Sequence, residues 1–374
     1  MADNKMLGIV FSNMHDNFLA ELTMHRTTAS VPFGGRYRLV DFTLSNMVNS
    51  GIANVGIIAK SNYHSLMDHV GSGKEWDLAR KRGGLTILPP FSRSGSGGIY
   101  RGNLEALAGI MGYIRSSTAP YVALSDCCLV TNLDMRKVLE AHQKSGAEIT
   151  IVYTVGECTA PRGDCVAIET DKDGFLTEVS PHHEGGGGVH KMYTNIAVIA
   201  KDTLIHMVNN FVNQNKYSFV QDVLTTMSGT RSVYCYELSG CSLTIHDMQS
   251  YFEANMSLLD SNVRRELFNQ ERPIYTKVRD EVPAKYGLSS VVANSLVADG
   301  CIIEGEVRNS VIFRGVRVGK GARVENCILM QGTVVEDNAS LDYVIADKNV
   351  LVRDGRKLAG YLSYPLFLPK NQHI

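Results

Sequence analysis

The chain has no apolar run of about 18 residues, so no segment of it reads as a helix able to span a bilayer. Its opening, MADNKMLGIVFSNM, has an apolar stretch too short for a signal core and turns polar at once, so a cytoplasmic location is expected. Net charge is almost absent. With 37 Lys plus Arg against 38 Asp plus Glu, the balance of -1 offers no broad field for nucleic acid or a membrane surface, and any phosphate recognition must be local. Metal-finger spacing is missing among the 8 cysteines, and a reducing compartment makes disulfides an unfavoured expectation. Only Cys127 and Cys128 adjoin. A vicinal disulfide is strained, so this pair reads as two small buried hydrophobes rather than a redox switch.

What is present is a chain of 374 residues, 44% of them hydrophobic, enough for two domains. From Met6 to about Leu243, short β-branched runs alternate with amphipathic segments, the pattern of an α/β fold on a mostly parallel mixed sheet. Strands are expected at Leu7 to Phe11, Asn54 to Ala59, Tyr121 to Leu124 and Glu148 to Tyr153. Helices are expected at Tyr37 to Asn49, Leu104 to Ile114 and Asp134 to Ser145, the last capped by the Asp134 carboxylate, and at Gln249 to Leu259. Strand Tyr121 to Leu124 runs into the polar cluster Ser125 to Cys128, just past a strand's carboxyl end, where open α/β sheets bind ligands. The tetraglycine stretch Gly185 to Gly188 is too free for a regular element and reads as a loop. Asn262 to Lys285, with Pro273 and Pro283, reads as an irregular connector.

From Ser289 to Val352 small apolar residues recur six apart. Ile312, Val318, Val324 and Met330 form one row, and Val316, Ala322, Ile328 and Val334 form another. Gly315, Gly319, Gly321 and Gly332, with Asn309, Asn326 and Asn338, stand at the expected corners. That period is the sequence form of a parallel β-helix, whereas an antiparallel sandwich would alternate with period two. The expected division is an α/β domain over 1–250, a helix and connector over 251–288 and β-helix coils over 289–374.

Five segments carry a resemblance that covers nearly the whole chain: VPFGGRYRLVDFTLSNMVNSGI from Val31, WDLARKRGGLTILPP from Trp76, YRG from Tyr100, SYFEANMSLL from Ser250, and RPIYT with PAKY between Arg272 and Tyr286. In these the chain resembles the glucose-1-phosphate adenylyltransferases, the ADP-glucose pyrophosphorylases of glycogen synthesis. The tail, with NSVI at Asn309 and ADKNV at Ala346, is similar to that family's C-terminal β-helix. The resemblance implies a Rossmann-like nucleotidyltransferase domain followed by a left-handed parallel β-helix.

Enzymes of this family join a sugar 1-phosphate to the α-phosphate of ATP and release pyrophosphate, which needs positive charge on the phosphates and a magnesium ion on carboxylates. Ungapped alignment from Val31 places the family's phosphate loop on Ser12 to Leu19, SNMHDNFL, where Asn13, Met14 and Asp16 replace glycines and Phe18 replaces an arginine. The lysine of the next motif falls on Thr28 while its arginine survives as Arg26, and the sugar-phosphate lysine falls on Ser180. The two metal aspartates fall on Cys128 and Thr244, leaving no magnesium ligand there, since the hard ion wants oxygen anions. A register shift could bring Asp126 or Asp247 into that role. At the sugar end, Arg26, Tyr100, Arg101 and Gly102 remain as candidates for an anionic ligand, while the spacing of Arg38 and Asp41 equally suits a pair across one helical turn.

In these losses the chain resembles the GlgD-type regulatory subunits. That resemblance implies a catalytically impaired chain with no cofactor of its own, working in a heterotetramer with a catalytic adenylyltransferase subunit that uses Mg2+ and ATP, and retaining at most a residual sugar-phosphate or anionic effector. Nucleic acid and membrane are not expected partners. Two other readings stay open: an active adenylyltransferase using displaced carboxylates, and a sugar-nucleotide sensor without a catalytic partner. An acyltransferase working from the coils would need a histidine there, and between His246 and His373 the sequence has none.

Overall fold

The computed structural model describes residues 5–13, 16, 19–89, 100–157, 165–180 and 188–374. A nine-stranded mixed sheet forms the first half, with strands Leu176–Ser180, Ala167–Thr170, Val189–Ala200, Tyr121–Ser125, Met6–Phe11, Asn54–Ile58 and Gly84–Leu88 in that order. Ile149–Glu157 pairs with Val189–Ala200, and Val233–Glu237 pairs with Ile149–Glu157. Met6–Phe11 lies parallel to both Asn54–Ile58 and Tyr121–Ser125, as crossover connections require. Its six residues are all buried, because helices cover the sheet on both faces. No described helix is long and apolar enough to cross a membrane.

Two expected helices and the expected connector differ in detail, each for a local reason. Tyr37–Arg38 leaves the first helix and pairs with Pro32–Phe33, turned by Gly34 and Gly35, both at positive φ (59° and 83°). That turn fixes the chain as a hairpin, and the helix begins only at Leu39, running to Asn49. The expected helix Leu104 to Ile114 is two, Asn103–Gly109 and Met111–Ser116, broken at Ile110 where glycines at 109 and 112 weaken the propensity. Within the expected irregular connector, Ser261–Leu267 is helical, started by Asp260, whose carboxylate accepts from Asn262 N at 2.8 Å. By contrast Met135–Ser145 forms as read, with Asp134 accepting from Arg136 N.

The C-terminal part is a parallel β-helix of three five-stranded sheets. Ile303 pairs with Val318, Val318 with Val335 and Val335 with Val352, so a coil of fifteen residues is followed by coils of seventeen rather than three times six. The interior therefore steps from Val318 to Val324 by six but from Val324 to Leu329 by five, and six again to Val335. Strict six-residue rows slip out of the interior at that point: Ile328 and Met330 turn outward. There they join Val311, Phe313 and Ile345 in the core shared with Phe33, Tyr251, Phe252 and Leu258 of the first half. The slip is what gives the β-helix an apolar outer face and welds it to the α/β part. Asn309, Asn326 and Asn338 hold left-handed corners, as read. Cys165 is disulfide-bonded, against the expectation, which cysteine spacing could not have revealed. The six other described cysteines, Cys127 and Cys128 among them, are free.

Candidate functional site

Strand Tyr121–Ser125 ends in the sheet's interior, and the chain then turns through Asp126, Cys127 and Cys128 into the short strand Leu129–Thr131. Ser242–Thr244 lies antiparallel to that strand, Thr244 opposite Leu129, and Ile245 N donates to Cys128 O at 2.8 Å. The structure thus brings together Cys128 and Thr244, which stand 116 positions apart in the numbering of the chain. A pocket of about 350 Å³ opens in front of them, walled by Thr154 to Glu157, Met192 to Asn195 and one side of helix Met248–Ser257.

The residues at this corner do not fit a magnesium ion. Burial pushes the Cys128 thiol well above its ordinary range, with the Asp126 charge adding to the effect, so it is a neutral sulfur. Thr244 offers only an exposed hydroxyl. Asp126 is the near carboxylate, buried, with Oδ1 accepting from Cys128 N at 3.0 Å and Oδ2 from Asn195 Nδ2 at 2.8 Å. Asp247 caps its helix, accepting from Ser250 N at 2.8 Å and from Ser250 Oγ at 2.7 Å. Both candidates for a displaced ligand are occupied by the fold itself. Among the described residues, no three His, Cys, Asp or Glu side chains converge as a metal site would require.

The phosphate-loop position is likewise filled by its own side chains. Asp16 Oδ1 accepts from Thr28 N at 2.8 Å and Thr28 Oγ1 at 2.7 Å, its other oxygen from Asn13, and Asn13 Oδ1 accepts from Lys60 N at 2.9 Å. At the position that alignment gives the phosphate loop, a carboxylate therefore sits where a phosphate would need amide donors, and Thr28 serves it. Phe18 lies outside the described residues. So does the tetraglycine loop except Gly188. Ser180 pairs with Ala167 in the sheet and does not line the pocket.

The sugar-end candidates are scattered. Tyr100, Arg101 and Gly102 precede helix Asn103–Gly109, away from the pocket lining. Arg101 closes onto Glu105 at 2.9 Å and stacks 3.8 Å above the Tyr217 ring. Gly102 lies so close to Tyr217 that an added Cβ would stand 2.3 Å from its carbonyl oxygen. Arg26 grips Asp347 of the β-helix with two contacts of 2.8 Å, both side chains 3% exposed.

A second site, which sequence reading missed, lies where the two halves meet. Arg36, Arg38, Lys277, Arg279, Arg314 and Lys348 line a narrow cleft of about 40 Å³ together with His69. That space holds a few waters or one tetrahedral oxyanion. The cations repel one another. Lys348 is pushed down to about 7, chiefly by burial and then by Arg38 and Arg26. Arg38 is lowered to about 10 by burial, and its guanidinium donates to Ser65 O and Oγ, not to the expected Asp41. Asp41 instead binds His69 Nε2 at 2.6 Å and takes the Arg38 backbone N–H at 2.9 Å. Arg314 Nε is buried without a hydrogen bond. The signal existed only as cations inside segments quoted for other reasons, Arg36 and Arg38 in FGGRYR and Lys348 in ADKNV.

The comparisons with known proteins agree with this architecture. The nucleotidyl transferase family model matches residues 18–232, and a GlmU-like C-terminal hexapeptide model matches residues 281–360. A glycogen biosynthesis protein GlgD of Bacillus subtilis (strain 168) is 35% identical over 376 residues, 99% of this chain and 97% of that protein. The GlgD of Geobacillus stearothermophilus is 38% identical over 86% of this chain and 83% of its own length. A glucose-1-phosphate adenylyltransferase of Clostridium novyi (strain NT) is 30% identical over 86% of this chain and 85% of its own length. The resemblance read from the five segments is borne out: the chain belongs to the nucleotidyl transferases and, within them, to the GlgD-type glycogen biosynthesis proteins.

Proposed function

We propose that this chain is a regulatory subunit of glucose-1-phosphate adenylyltransferase in glycogen biosynthesis, impaired in catalysis itself and acting on a catalytic paralogue. The observation that carries this reading is the corner at Cys128 and Thr244, where a neutral thiol and a hydroxyl meet while Asp126 and Asp247 are held by the fold. Without a metal ion and basic residues on the phosphates, the electrostatic stabilisation of phosphoryl transfer is gone. The carboxylates' engagement weighs against the alternative of displaced ligands. The degenerate positions are Phe18, Thr28, Cys128, Ser180 and Thr244. On the same reading the chain works in the cytoplasm, its α/β part spans 1–250, its connector 251–288 and its coils 289–374.

The cationic cleft supports an anionic effector, since buried, mutually repelling cations gain most from a counter-charge. For the partner, the open end of the β-helix is the natural contact. Residues Gln372 to Ile374 close the last coil by backbone hydrogen bonds to Leu351 and Arg353. The first coil instead leaves Val282, Tyr286, Leu288 and Val291 exposed beside the edge strands Lys285–Tyr286 and Val291–Ala293. Solenoid ends need a cap, and a neighbouring subunit can supply one.

The test is pyrophosphate release from ATP, glucose 1-phosphate and magnesium. The chain alone is expected to be slower than the catalytic subunit by a factor of roughly 1,000 or more, each lost electrostatic contact being worth about 100-fold or more. Mixed with the catalytic subunit of its own organism, it is expected to co-elute as a mixed oligomer and to change that subunit's rate or effector response. Robust turnover alone, or no co-assembly and no change in rate, would sink the reading.

A further inference from the structure

The chain keeps its positive charge out of the larger pocket. The cations gather in the cleft, and among the described residues no lysine or arginine lines the pocket in front of Cys128 and Thr244. Its charged lining is acidic, Glu157 and Glu253. A phosphate dianion there would lose hydration and meet like charge with nothing to balance it.

The remaining lining is suited to something uncharged. Thr154, Tyr193, Ser242 and Thr244 border the cavity, and among the described residues their hydroxyls form no hydrogen bond to the protein. Such hydroxyls both donate and accept, and the carboxylates accept, which matches a ligand that is itself all hydroxyl. Tyr193 also brings a ring with an apolar face to the same wall. The volume of about 350 Å³ lies within the range of small-molecule sites, room for one or two hexose rings.

We propose that this pocket binds a neutral mono- or disaccharide and discriminates against its phosphate ester. Loss of the basic groups does more than disable a nucleotide site; it leaves a site whose electrostatics select the uncharged sugar. Phosphate esters go to the interdomain cleft instead.

Calorimetric titration of the full chain with maltose tests this, with glucose 1-phosphate as competitor. Saturable binding in roughly the millimolar range is expected, weakened about tenfold or more by Thr244→Trp, which fills the mouth from an exposed position. Glu253→Lys, on an exposed helical position, is expected to lower maltose affinity and raise that for glucose 1-phosphate, and it serves should the tryptophan variant fail to fold. Glucose 1-phosphate should bind both the parent and Thr244→Trp without displacing maltose. No saturable binding of maltose, binding that both variants leave unchanged, or its displacement by lower concentrations of glucose 1-phosphate would overturn the proposal. The measurement needs no catalytic subunit, so its outcome is separate from that of the rate assay.

Discussion

Replacing Asp347 by alanine removes the carboxylate on which Arg26 closes and leaves that guanidinium, 3% exposed, without its counter-charge. Arg38 and Lys348 stand close enough to repel it, as the contribution of Arg26 to the lowering of each records. Breaking a buried pair from one side costs about 3–5 kcal/mol because the survivor stays desolvated, whereas exposed pairs are worth at most about 1 kcal/mol. The expected loss on Asp347→Ala is therefore in the upper range, and the hydrogen bond that the carboxylate accepts from Lys348 N at 2.7 Å adds to it. Urea unfolding followed by the fluorescence of Trp76, the single tryptophan, measures it. The double variant Arg26→Met with Asp347→Leu should recover most of the loss, since two apolar side chains leave no buried charge. A loss below about 1 kcal/mol for Asp347→Ala would refute the claim that this pair is desolvated and that it fastens the β-helix to the α/β part.

Protonation of the cleft gives a second expectation. Lys348 loses its proton near pH 7 in the folded chain, against 10.5 ordinarily, so between those values the unfolded chain holds the extra proton and this residue disfavours folding increasingly as pH falls toward 7, with no further change below. An anion in the cleft favours the charged amine, so sulfate binding should take up close to one proton above pH 7 and weaken as pH rises from 7 to 9; calorimetry in buffers of differing ionisation heat reads this, and Lys348→Met should abolish the uptake. Gly102→Ala would place Cβ 2.3 Å from the Tyr217 carbonyl, so the loop must move, at a cost of about 1–3 kcal/mol in the same urea assay.

The sheet was legible because its strands are short β-branched runs buried on both sides, such as Met6–Phe11, and because Asp134 announces its helix. The β-helix was legible from its period, but the missing residue per coil was not, since apolar residues stand at both Leu329 and Met330 and only the coil closure decides which one points inward. Motif alignment assigns Cys128 and Thr244 to one site and the fold sets them at one corner, yet the engagement of Asp126 by Asn195 depends on a strand bulge at Asn195, a φ of 59° that no spacing rule contains. The cleft was invisible for a different reason. Its cations come from the Gly34 hairpin, the connector at Lys277 to Arg279 and two β-helix coils, and only the packing of the outward-facing row Val311, Ile328 and Ile345 brings them together.

On the proposed reading, that same packing explains why the scaffold motifs remain where the catalytic positions are replaced. VPFGGRYR forms the hairpin that presents Arg36 and Arg38 to the cleft, SYFEANMSLL is the helix whose Tyr251 donates to Pro32 O at 2.7 Å, and Asn255 holds Gly34 N at 3.0 Å. One side of that helix also walls the neutral pocket through Ser250, Glu253 and Ser257. A single helix therefore touches the hairpin of the cationic cleft on one side and the sugar-sized cavity on the other, so a ligand in either place acts on the same rigid element. Residues that support this arrangement are needed whether or not phosphoryl transfer occurs, whereas the positions that alignment assigns to the phosphate loop and to Cys128 and Thr244 would, on that reading, serve only the reaction. Coupling between the two sites then follows a definite physical route: if sulfate in the cleft changes maltose affinity in the pocket, the change should disappear in Asn255→Ala, which frees the helix from Gly34, while each ligand still binds alone. Persistence of the coupling in that variant would show that the helix is not the element that links them.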